Sequence, residues 1–147
     1  MVASEKLRGA PPEGENLTVR IVSFSFHRGL PEDQTGHGGG FVFDARGIPN
    51  PGREERFKAF TGKDRPVIDY LDQQESARQF LANAVSLVDA SVSNYQSRNF
   101  KNLMVSFGCT GGQHRSVYLA EQLAKHLRGK KGVDVLVRHR ELENMGK

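Results

Sequence analysis

Tryptophan is absent from this chain of 147 residues, and cysteine occurs once. A single cysteine, Cys109, excludes an internal disulfide, and no set of cysteines and histidines has zinc-site spacing. Long apolar runs are missing too: the longest extend over a handful of residues, against the roughly 20 that a membrane helix needs. The N-terminus lacks the basic-then-apolar pattern of a secretory signal, and nowhere does G-x4-G-K-[ST], the phosphate loop of many nucleotide-binding proteins, occur. These absences predict a cytoplasmic protein with no membrane attachment, no metal and no cofactor.

Charge is present but unevenly placed. The chain carries a net +4, and residues 101–147 hold nine Lys or Arg against four Asp or Glu. A basic third of this kind attracts phosphorylated ligands or nucleic acid, or forms an ordinary solvated face. Lys125, Arg128, Lys130, Lys131, Arg138 and Arg140 are its candidate RNA contacts.

Residues 1–16 contain Pro11, Pro12 and three glutamates with little apolar periodicity, so they are predicted to be a disordered leader. Residues 17–143 form the expected domain, and residues 144–147 a short tail. Alternation predicts strands over about 18–26, 41–43, 102–107 and 133–137. Apolar residues recurring at three- and four-residue intervals predict helices over about 75–95 and 114–127, the second capped by Gly129, and Asp64 is set to cap a shorter helix running through Leu71. Strands alternating with helices define an α/β domain with a small, mostly parallel sheet of about four strands.

The most informative segment follows the third strand. Cys109, Thr110, Gly111, Gly112, Gln113, His114, Arg115 and Ser116 lie between that strand and a helix, the layout of an anion cradle. Glycines let successive amides turn inward as a nest, and the helix start adds unsatisfied N–H groups. Arg115 can offer a phosphate two parallel donors, and a protonated His114 a further contact. Ligands of open α/β sheets collect beyond the carboxyl ends of the strands, where Asp44, Arg46, His27 and Arg28 are also expected. The glycine-rich loop at 38–40 brings His37 as an additional candidate.

Two other readings stand beside this one. Cys109-x5-Arg115-Ser116 has the spacing of cysteine-dependent phosphatases, with Cys109 as nucleophile, Arg115 as clamp and Asp44 as general acid. The position before the cysteine, usually histidine there, is Gly108. The basic third alternatively makes the chain an RNA-binding module without a metabolite site, as an anion cradle alone makes it a non-enzymatic sensor.

The segment GCTGGQHRSVYLAEQLA, Gly108 to Ala124, resembles the C-terminal domain of the RapZ (YvcJ) family of bacterial RNase adapters. The resemblance extends to Phe24-Ser25-Phe26, to Phe43-Asp44-x-Arg46-x-x-Pro49-Asn50-Pro51, to Thr61-Gly62-x-Asp64-x-Pro66-Val67 and to Arg138-His139-Arg140. It implies an α/β domain that binds an amino-sugar phosphate such as glucosamine 6-phosphate, with RNA and a regulatory protein as partners. Thr110, Gly111, His114, Arg115, Asp44 and Arg46 are the matching pocket positions. It also implies a C-terminal-like domain standing alone, without the family's N-terminal nucleotide-binding domain, so that ATP or GTP binding is not expected. Where the family has a histidine directly after the Asn-Pro turn, this chain has Gly52 and Arg53. His37 is the expected replacement.

Overall fold

The structure, a computed structural model, describes residues 16–147. The predicted leader therefore lies, but for Asn16, outside the described residues. Four strands, β1 (Leu17–Ser25), β2 (Gly40–Asp44), β3 (Asn102–Cys109) and β4 (Val133–His139), form one sheet in the order β2-β3-β1-β4. All three pairings are parallel. Four helices flank it: α1 (Arg65–Asp72), α2 (Glu75–Ser97), α3 (Arg115–Leu127) and α4 (Arg140–Asn144). The α/β class and the four parallel strands are as the sequence predicts.

The central strand β3 is buried from Leu103 through Cys109, which is why its sequence reads as an apolar run and not as an alternation. On β1 the alternation survives: Leu17, Val19 and Ile21 enter the core, joined by Leu103, Val105 and Phe107 of β3. Ala77, Ala84, Val88 and Val92 bring α2 onto this layer, and Val117, Ala120, Leu123, Ala124 and Leu127 bring α3. On the other face, Arg20, Met104 and Leu136 share one register row, and Val22, Ser106 and Val42 the next. Val42 and Leu136 are about half exposed there.

Several ends differ from the expected ones for local reasons. The third strand runs two residues further than predicted, pairing Gly108 with Phe24 and Cys109 with Ser25, so the cysteine closes the strand and does not open the loop. Helix α2 stops where Asn99 adopts φ 58°, a left-handed conformation its short amide side chain tolerates, and the Phe100 N–H returns to the Tyr95 carbonyl. Asp64 precedes α1 but makes no side-chain cap; its Oδ2 instead accepts the Thr61 N–H at 2.7 Å, closing the turn before the helix. Gly129 is not left-handed. The positive φ falls at Gly132, 78°, where the chain turns into β4.

Candidate functional site

Beyond the carboxyl ends of β2 and β3 lies an open cleft of about 580 Å³. The segment Arg46–Asn50 forms one wall, Arg53 and Glu54 continue it, Tyr70 and Ser76 face it from the helices, and Thr110 and Arg115 make the floor. Arg115 is only 4% exposed. Its Nη1 donates to the carbonyls of Arg46 at 2.8 Å and Ile48 at 3.0 Å, and its Nη2 lies 3.5 Å from Thr110 Oγ1. Its Nε is buried with no hydrogen-bond partner. Among the described residues no carboxylate forms an ion pair with this guanidinium; the acid whose charge reaches it is Asp44, itself held by Arg46.

The loop that leads to Arg115 is braced by Ser25 and Glu141. Gly112 has φ 72° and packs so tightly that a Cβ there would come within 2.5 Å of Glu141 Cγ. The Ser25 hydroxyl donates to the Thr110 carbonyl, and Glu141 Oε2 accepts the Ser25 N–H at 2.9 Å. Burial alone would raise the Glu141 pKa, but the Ser25 amide and Arg140 hold it below the usual carboxylate range. Helix α4 thus props the loop from behind. The amides of Gly111, Gly112 and Gln113 donate to no protein acceptor among the described residues.

Gln113 and His114 hold the loop to the segment before α1. Gln113 Nε2 donates to the carbonyls of Lys58 at 3.0 Å and Phe60 at 2.8 Å, and its own carbonyl accepts the Gly62 N–H. His114 Nε2 lies 3.0 Å from the Phe57 carbonyl, which can only accept, so this nitrogen carries the proton. Burial lowers the imidazole pKa despite that carbonyl, which favours the neutral ring as the tie between the loop and Phe57.

Cys109 is 2% exposed, with its thiol 3.2 Å from the equally enclosed Ser116 hydroxyl. Any Cβ at Gly108 would meet the rings of Phe24 and Phe26 at 2.5 Å, so no histidine fits before the cysteine. Asp44 takes a fork from Arg46, Nη2 to Oδ2 at 2.7 Å and Nε to Oδ1 at 2.9 Å, which holds its carboxyl below the ordinary range. The Arg46 guanidinium also covers the Phe26 ring at 4.0 Å.

Of the other expected residues, His27 and Arg28 form an exposed 3-10 turn at the same edge of the sheet but do not line the cleft. His37 requires a correction. It packs edge-on against Tyr95 and Phe100, next to the start of β3 and so at the opposite edge of the sheet, because its loop feeds the amino end of β2. Of the basic candidates, Arg138 pairs with Glu143, Arg140 with Glu141, and Lys130 with Asp89, while Lys125 and Arg128 border a pocket beside α1. Five cleft residues went unmarked in the sequence reading: Gly47, Ile48, Glu54, Tyr70 and Ser76. The Asn-Pro-Gly turn located their neighbourhood, but nothing in a linear pattern says which side of a turn faces a cleft.

The chain is thus an open-sheet α/β domain with a cleft at the carboxyl edge of its strands. It belongs to the RapZ C-terminal domain family, whose model matches residues 17–143. A nucleotide-binding protein of Xylella fastidiosa (strain M23) is 41% identical over 129 residues, 88% of this chain and 43% of that protein. Nucleotide-binding proteins of Acidovorax sp. (strain JS42) and Herminiimonas arsenicoxydans are 42% and 43% identical over 95% and 86% of this chain. The chain spans less than half the length of these relatives.

Proposed function

We propose that this domain binds a phosphorylated small molecule in the cleft, as a sensor and not as a catalyst. Arg115 carries the reading: a guanidinium at 4% exposure, in no direct ion pair, with its Nε unpartnered and lining the cleft beside free loop amides, is a cation suited to an incoming anion. The family makes an amino-sugar phosphate such as glucosamine 6-phosphate the first candidate. The enclosed Cys109 thiol favours binding over phosphoryl transfer, since a nucleophile must reach phosphorus. A regulatory output through RNA or a protein partner in the cytoplasm follows from the family reading.

Calorimetric titration against sugar phosphates and nucleotides tests this. Saturable binding of a sugar phosphate, weakened by Arg115→Ala, is the expected result, with no phosphate released on incubation. Binding of no phosphorylated compound, or binding indifferent to Arg115→Ala, overturns it. The relatives' names put nucleotides in the panel, but those proteins are more than twice as long as the shared region.

No helix among the described residues is long and apolar enough to cross a membrane.

A further inference from the structure

The two faces of the sheet are covered differently. Helices α1, α2 and α3 pack on the core face, with Val67, Val88 and Val117 among their buried residues. On the opposite face residues 32–34, in the loop before β2, border β1 and β4, and loop and strands together bound a cavity of about 170 Å³. Val22, Met104 and Leu136 give it an apolar floor. It shares no lining residue with the cleft at the carboxyl edge.

Arg20 stands in that floor, between Met104 and Leu136 on one register row. Its Nε is buried and has no hydrogen-bond partner, and among the described residues its guanidinium meets no carboxylate, carbonyl or ring. Arg138, the other cation of the lining, is held by both oxygens of Glu143 at 2.9 and 3.1 Å. The acids of the lining differ in the same way. Asp33 is saturated by its own loop, accepting the amides of Thr35, Gly38 and Gly39, whereas Glu32 takes no partner among the described residues. One cation and one anion are thus uncommitted around an apolar floor, and the buried Arg20 donor favours any acceptor that reaches it.

We infer that this cavity is a second site, for a small aliphatic α-amino acid such as leucine: the carboxylate pairs with Arg20, the side chain lies on Val22, Met104 and Leu136, and the ammonium faces Glu32. Size sets the scale, since an apolar cavity of roughly 150 Å³ holds a guest as large as benzene, which admits one amino acid and excludes a nucleotide. Charge selects within that scale. A plain carboxylate meets Arg20 but also the acids of the loop, and a plain amine leaves Arg20 unanswered; a zwitterion satisfies both. The site is independent of the phosphate reading of the cleft.

The test is a calorimetric comparison of leucine with isocaproate, which lacks the ammonium, and isopentylamine, which lacks the carboxylate, on the protein as it stands and on Arg20→Met. The expected result is saturable binding of leucine, with each truncated analogue at least about tenfold weaker and leucine binding lost in Arg20→Met. Should Arg20→Met fail to fold, Arg20→Lys replaces it: the charge stays but the paired donors go, and leucine should bind at least about tenfold more weakly. No binding of leucine, or binding indifferent to the change at Arg20, overturns the inference. Isocaproate binding as tightly as leucine overturns it too, because the ammonium would then meet nothing in the cavity.

Discussion

Two glycine-rich loops of this protein leave successive backbone amides outside the helices and strands, and they differ in what those amides meet. In the loop before β2, Asp33 accepts four hydrogen bonds: Oδ2 from the amides of Gly38 and Gly39, and Oδ1 from the amide and hydroxyl of Thr35. These contacts, the Thr35 amide first, hold the Asp33 carboxyl far below the carboxylate range. In the loop after β3 the corresponding amides are free, the nearby charge is the positive Arg115, and the carboxylate behind, Glu141, faces Ser25 and Arg140 instead. Similar composition thus makes a self-filled nest at one edge of the sheet and a loop of unpartnered amides at the other. Glycine content marks a nest; whether the chain fills it decides whether a ligand can.

The strongest way to break this contrast is Arg115→Ala. It should weaken phosphorylated-ligand binding at least about 100-fold, ~3 kcal/mol, while Asp33→Ala leaves affinity within about twofold by calorimetry. Equal losses would show that the two loops are not different in kind. Next comes packing: Gly112→Ala combines a positive φ with collision against Glu141 and should cost about 3 kcal/mol in urea unfolding, whereas Gly38→Ala, with open space around it, should cost about 1 kcal/mol.

A smaller effect concerns protons. His114 is neutral in the fold with its pKa lowered by burial, so the unfolded chain binds the proton first. Stability should fall as pH drops below the ordinary histidine value of 6.5, and His114→Gln should flatten that slope in melting temperatures measured between pH 5 and 8. Asp33 has the opposite reach: its loop should keep the amides of Gly38 and Gly39 protected from exchange well below the pH at which ordinary carboxylates protonate, and Asp33→Asn should release them. The smallest change belongs to Cys109→Ser, which should leave ligand affinity within about twofold and lower stability by about 1 kcal/mol.

The fold was legible because its signals are local. The periodicity of Ala77, Ala84, Val88 and Val92 gives α2 its buried stripe, and the run from Leu103 to Phe107 reads as a strand enclosed on both faces. The loop of glycines with Arg115 at a helix start was legible for the same reason, and it lies at the cleft. What a linear reading cannot supply is direction. His37 and the loop at 110–114 are both glycine-flanked, yet one adjoins the amino end of a strand and the other the carboxyl end, a difference settled by the order in which strands pair. Gln113 and His114 resemble ligand groups in sequence, but carbonyls from 53 to 57 residues away capture them.

The guanidinium of Arg115 is at once a contact for the cleft and a tie across it, since the same group grips the carbonyls of Arg46 and Ile48. Occupancy therefore has a mechanical side. An anion that draws Arg115 forward pulls on the strap from 46 to 48, and through it on the capped turn that follows. The ligand would register as reduced amplitude of motion in residues 45–53 and slower amide exchange there, a stiffening available to any partner that feels that strap without touching the ligand itself.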